Sequence, residues 1–118
     1  MIYIFETEIP NIKSIQFSLQ KIYGIGKQHS FLFCKQLGFS KNLKTSELSK
    51  DQIIKLTKTI SSSDLVITNQ LKKFQILLLQ DLINIKSYRG LRRLQGLPVR
   101  GQRTHTNSKT SKSRKPFF

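Results

Sequence analysis

"QLKKFQILLLQDLINI", residues 70–85, decides the fold. Leu71, Phe74, Leu78, Leu82 and Ile85 recur at intervals of 3, 4, 4 and 3, the period of an α-helix, and Ile76, Leu77, Leu79 and Ile83 widen the apolar side. The spacing predicts a long helix from about Gln70, the central one of a small helical domain. Upstream, Ser49 followed three residues on by Gln52 is a capping box. It starts a helix with Ile53, Leu56 and Ile60 inward, ended by Ser61-Ser62-Ser63-Asp64. Gly24-Ile25-Gly26 separates two further helices. One is capped by Asn11 after Pro10 and carries Ile12, Ile15, Leu19 and Ile22; the other runs from about Lys27 to Leu37, burying Phe33, Cys34 and Leu37, with Gly38 as a left-handed stop. Residues 2–9 are rich in strand formers and read as a short edge strand. The fold class is mainly α, with a helical globular domain over residues 1–85.

Downstream the composition changes. A short basic helix is expected over Tyr88 to Leu94, after which Gly96, Pro98 and Gly101 break regularity. The chain has 118 residues, 21 Lys and Arg against 6 Asp and Glu, and a formal net charge of +15. Ten of the basic residues and none of the acidic ones lie in the last 33 positions. A block of one sign repels itself unless something anionic lies against it, so a polyanionic partner is expected. Residues 86–118 therefore read as a basic helix plus an extended tail. The 18 residues from Gly101 onward, if extended, reach on the order of 60 Å at roughly 3.3 Å each, and would order against that partner.

Two stretches carry nucleic-acid chemistry. In "YGIGKQ", residues 23–28, Gly24 and Gly26 allow a tight turn whose amides, with the next helix N-terminus and Lys27, suit a phosphate. A plain helix–helix turn would need the same glycines. In "YRGLRRLQGLPVRGQRTHTN", residues 88–107, Arg89, Arg92 and Arg93 lie at helical spacing, Tyr88 offers a stacking ring, and Arg100 and Arg103 continue the stripe. Gly90, Gly96 and Gly101 let backbone approach closely. The planar guanidinium both forks onto phosphate and stacks on unpaired bases, which favours RNA.

Enzymatic readings find little. His29 and His105 are far apart, Cys34 sits on an apolar helix face, and Glu6 and Glu8, placed on one side of the strand, have no third ligand near them. No catalytic residue, metal site or cofactor is expected. The single cysteine allows no internal disulfide. The longest aliphatic run, Ile76 to Leu79, is far short of the roughly 18 residues of a membrane span, so no membrane partner is expected.

"YGIG" at 23–26, "YRGLR" at 88–92 and "GLPVRGQRTHTN" at 96–107 resemble the family of the thirteenth small-subunit ribosomal protein, in its bacterial and organellar form. The resemblance covers the whole chain in order. It implies a helix-two-turns-helix element seated on ribosomal RNA in the small-subunit head, and no enzymatic activity. It implies as partners small-subunit ribosomal RNA, the head protein numbered nineteen, large-subunit protein five and large-subunit RNA at intersubunit bridges, and the peptidyl-site transfer RNA through the tail. By position, Gly24, Gly26 and Lys27 form the turn, Arg89, Gly90 and Arg92 the basic helix, and Arg100, Gly101, Gln102, Arg103 and Thr104 the RNA-clamping start of the tail. Lys109, Lys112, Arg114 and Lys115 fit the tail by composition. The chain departs from the pattern at Phe5-Glu6-Thr7-Glu8, where the family carries a glycine, at Leu94-Gln95, where it continues basic, and at the apolar Pro116-Phe117-Phe118.

The chain contains no alanine. Alanine codons all begin GC, so this marks an A+T-rich genome; with no leading presequence, a mitochondrial matrix ribosome is expected, ahead of a plastid or a bacterial cytoplasm. The rival functions are a DNA-binding helix-turn-helix or hairpin module and a basic membrane-active peptide.

Overall fold

The computed structural model describes residues 2–114. The chain divides into two compact units, residues 1–71 and 72–118. The first opens with a hairpin, not a single strand: β1 (Ile2–Ile4) pairs antiparallel with β2 (Thr7–Ile9), Ile2 opposite Ile9 and Ile4 opposite Thr7. Phe5 and Glu6 form its two-residue turn, both left-handed, at φ 49° and 61°. Glu6 is thereby on the turn, where its carboxylate accepts from Asn69 Nδ2 at 3.0 Å, and does not share a strand face with Glu8.

Helix α1 (Ile15–Ser18) starts later than the spacing suggested. Ser14 is extended and bridges to Lys44, while the Lys13 carbonyl accepts from the amide and the hydroxyl of Thr45 at 3.2 and 3.0 Å. Asn11 caps nothing, and Ile12 stands 88% exposed. A 3₁₀ turn (Leu19–Lys21), closed by Ile22 N–H to Leu19 C=O at 3.1 Å, continues α1, and a second turn follows, closed by Ile25 N–H to Ile22 C=O at 3.0 Å. Then comes α2 (Lys27–Gln36), so helix, two turns and helix stand in the order expected. Its end is a Schellman motif: Gly38 is left-handed, and the Gly38 and Phe39 amides reach the Lys35 and Cys34 carbonyls at 3.3 and 2.9 Å. Helix α3 (Lys50–Ser62) carries the expected capping box, Gln52 N–H to Ser49 Oγ at 3.3 Å and Ser49 N–H to Gln52 Oε1 at 3.0 Å.

The core of this unit is Ile4 and Ile9 from the hairpin, Ile15, Leu19 and Ile22 around α1, Phe33 and Cys34 from α2, Leu56 and Ile60 from α3, with Ile25, Leu48 and Ile67. Helix α4 (Thr68–Asn84) is not the central element expected. Leu79 is its one fully buried side chain among the described residues, whereas Phe74, Leu77, Leu78 and Ile85 are at least half exposed. Ile76 and Ile83 flank Leu79 on the inward line, which lies opposite the Phe74–Leu78–Ile85 line at 100° per residue. A helix apolar on both sides does not reveal from its period which side is covered.

In the second unit, α5 (Tyr88–Leu94) follows α4 through a tight corner. Lys86 is left-handed at φ 57°, and the Lys86 and Ser87 amides reach the Ile83 and Leu82 carbonyls at 2.9 and 3.3 Å, a Schellman closure with lysine where glycine is favoured. Left-handed backbone costs a residue with a Cβ about 1–2 kcal/mol. Lys86→Gly is therefore expected to stabilise the protein by about 1 kcal/mol, read as a higher urea midpoint at unchanged slope. At the other end of α5 the same closure uses Gly96, with Leu97 N–H reaching Arg92 C=O at 2.9 Å. The tail is not extended throughout. After Thr104 it turns, Ser108 Oγ donates to the Thr104 carbonyl at 3.2 Å, and α6 (Lys109–Ser113) forms, with the Ser111 carbonyl 3.4 Å from where a Cβ on Gly96 would sit.

Candidate nucleic-acid interface

The glycines of the first turn do different things. Gly24 has φ +103°, and a Cβ there would lie 3.1 Å from both Ile67 Cα and the Val66 carbonyl oxygen. Its glycine serves the fold, beside the Thr68 amide that donates to the Tyr23 carbonyl at 2.7 Å. Gly26 faces open space: nothing lies within 4 Å of a Cβ placed on it. It is the N-cap of α2, with no side-chain cap and no acidic residue in the first turn, and Lys27, Gln28 and His29 are exposed beside it. The first amides of α2 thus present the positive end of the helix dipole outward, with Lys27 adjacent, an arrangement suited to an anion.

Helix α5 divides its basic residues between solvent and structure. Tyr88, Arg89 and Arg93 are exposed. Arg92 is half-buried; its guanidinium lies 5.7 Å over the Tyr88 ring, and its Nε donates to the Pro98 carbonyl at 3.1 Å. It therefore anchors the start of the tail to the helix. Gly90 is buried, and a Cβ there would lie 2.5 Å from the Leu82 carbonyl oxygen. Ser87 is a residue that the motifs did not single out. Its Oγ accepts from the Gly90 amide at 3.1 Å and donates to the Leu82 carbonyl at 2.8 Å, capping α5 and closing the corner at once. A serine just ahead of a short basic helical run was the available signal.

Beyond α5, Arg100, Gly101, Gln102, Arg103 and Thr104 are all exposed, and nothing lies within 4 Å of a Cβ on Gly101. Lys109 and Lys112 stand exposed on α6, with Arg114 at its end; Lys115 lies outside the described residues. The basic side chains from Arg89 to Arg114, apart from Arg92, are thus solvent-facing within the second unit.

No reactive constellation accompanies them. Burial pushes the Cys34 thiol up from its usual range, which keeps it protonated. Alkylation of Cys34 at pH 8 is expected to be at least tenfold slower in the native protein than in denaturant, followed by mass shift. His29 and His105 are both exposed, and no group of three or more His, Cys, Asp or Glu is close enough to hold a metal among the described residues. No helix among the described residues is long and apolar enough to cross a membrane.

The sequence matches the family described as Ribosomal protein S13/S18 over residues 3–110, a span containing the glycine turn, α5 and the arginine-bearing start of the tail. The chain belongs to that family. Small ribosomal subunit protein uS13 of Akkermansia muciniphila is 41% identical over 115 residues, 98% of this chain and 92% of that protein. The Marchantia polymorpha protein uS13m is 42% identical over 110 residues, 93% and 91% of the two chains. The Gracilaria tenuistipitata protein uS13c is 39% identical over 112 residues, 95% and 88%. Membership makes the chain a structural ribosomal protein of the S13 type and not an enzyme.

Proposed function

We propose that this S13-family chain is a structural constituent of the small-subunit head, holding small-subunit ribosomal RNA through the Gly24–Lys27 turn, the exposed face of α5 and the residues from Arg100 onward. The carrying observation is the set of exposed guanidinium and ammonium groups at Arg89, Arg93, Arg100, Arg103, Lys109, Lys112 and Arg114, with no acid after Asp81. Phosphates neutralise them, and binding energy falls steeply with salt. Lys115 belongs to the same set by sequence. The tail reaches toward the peptidyl-site transfer RNA. The exposed Phe74–Leu77–Leu78–Ile85 stripe of α4 supports protein neighbours in the head and at the intersubunit bridges, head protein nineteen and large-subunit protein five among them. The alanine-free composition supports an organellar ribosome, a mitochondrial one ahead of a plastid one.

Sedimentation of a native lysate tests the assembly. Co-migration of the chain with small subunits and intact ribosomes through a high-salt gradient is expected; migration as a free protein or with DNA overturns the reading. Gly26→Ala tests the turn. Its Cβ enters open space at φ −98°, so the fold loses at most about 1 kcal/mol of cap preference. A fivefold or greater drop in affinity for small-subunit RNA, of order 1 kcal/mol, with the melting curve little moved, is expected where RNA backbone approaches this glycine. Unchanged affinity removes the turn from the interface.

A further inference from the structure

We propose that Pro116-Phe117-Phe118, the apolar segment outside the described residues, folds back in the free protein and seats its rings in the groove lined by Gln80, Ile83, Asn84 and Leu94. Groove and segment both belong to the second unit. The close approach of α5 to α4 makes the groove: Gly90 has no Cβ, and its backbone lies against the Leu82 carbonyl and the Ile83 nitrogen. Leu94 stands one turn further along α5. Gln80 and Asn84, four residues apart on one face of α4, complete the lining with Ile83. The concavity holds about 340 Å³, and Ile83 and Leu94 give it aliphatic carbon on which a phenyl ring packs.

The occupant follows from where the described chain ends. Helix α6 returns the tail to the end of α5: the Ser111 carbonyl oxygen and Lys112 Cα lie 3.4 and 3.8 Å from where a Cβ on Gly96 would sit, and Leu94 is two residues before that glycine. The five residues from Ser113 to Phe117 span on the order of 16 Å at roughly 3.3 Å each, more than enough to bring the rings to Leu94. Charge selects the same occupant. Asp81, next to Gln80, is the one acid after Asp64; it is exposed, and no side-chain hydrogen bond or ion pair engages it among the described residues. A carboxylate there disfavours an RNA phosphate and favours the basic pair Arg114-Lys115, which directly precedes the aromatic segment. Arg93, beside Leu94, opposes that pair, so Asp81 directs the approach and the rings hold it. The contact belongs to the free chain; on the reading that the tail reaches transfer RNA, the segment leaves the groove on assembly.

The test uses the full chain without RNA, so the fate of the clasp and that of the ribosomal reading are separate. In a Cys34→Ala background, Pro116→Cys is combined with Asn84→Cys at the groove or with Leu78→Cys on the other side of α4; positions 78 and 84 are both exposed. Disulfide formation within the chain, followed by mass at dilute concentration, is expected to be on the order of tenfold faster for the 84–116 pair, because docking raises the effective concentration of the two thiols. Phe117→Ala with Phe118→Ala should erase the difference. In the otherwise unaltered chain the same two substitutions should speed amide exchange in peptides covering residues 79–97 on the order of threefold, with the α1–α3 core unchanged. Equal cross-linking rates for the two pairs overturn the clasp, as does a difference that survives loss of both rings. Exchange over residues 79–97 that is unaltered by the double alanine variant overturns it as well.

Discussion

Gly90→Ala destabilises the second unit by about 3 kcal/mol, although Ala is the better helix former by about 1 kcal/mol. The added Cβ would stand 2.5 Å from the Leu82 carbonyl oxygen, 2.6 Å from its carbon and 2.8 Å from the Ile83 nitrogen. All three are backbone atoms of the last turns of α4, so no side chain can rotate away. The Leu82 carbonyl also accepts from Ser87 Oγ at 2.8 Å and from the Ser87 amide at 3.3 Å, so moving it loosens the cap of α5 together with the end of α4. Hydrogen exchange read by mass spectrometry should show faster exchange in peptides covering residues 79–97 and unchanged exchange in those covering the α1–α3 core. A melting curve and exchange pattern identical to wild type would mean that α5 does not lie on the Leu82–Ile83 backbone.

This glycine shows what the sequence could and could not disclose. Position 90 sits among arginines, and there a missing side chain reads as room for RNA backbone; α4 occupies that room instead. Gly24 is likewise committed to residues 66–67, while Gly26 and Gly101 are open. The letter is the same in each case, and only the neighbours, which are distant in sequence or one helix away, separate the roles. The capping box at Ser49–Gln52 and the stop at Gly38 were legible because each is a local pattern, complete within a few residues. The start of α1 was not, because the groups that come closest to the Lys13 carbonyl belong to Thr45, distant in sequence. The inward side of α4 was not either: aliphatic residues surround the helix, so its period alone does not choose a side.

The basic surface was legible for a physical reason of another kind. Ten Lys and Arg with no acid over the last 33 residues require solvent or an anion on nearly every side, whatever the fold. Geometry refines this by giving Arg92 a structural role as well, tied to Tyr88 and Pro98, and by leaving Arg100 and Arg103 exposed next to an unhindered Gly101. Arg92→Ala should therefore act through the path of the tail as well as through its missing charge.

Arg100→Glu combined with Arg103→Glu lowers affinity for small-subunit RNA on the order of a hundredfold at moderate salt, since charge-assisted hydrogen bonds are worth roughly 1.5–3 kcal/mol each. The logarithmic salt slope should fall by about 2, one unit for each arginine withdrawn from a phosphate. Neither arginine packs against the fold: both are exposed, and no side-chain hydrogen bond engages either one among the described residues. The thermal midpoint should consequently move little. In cells the variant should be absent from small subunits on a high-salt gradient while accumulating as soluble, folded protein. Normal incorporation with an undiminished salt slope would place the RNA attachment elsewhere, with Arg89, Arg93 and the Lys27 turn left to carry the whole of its electrostatics.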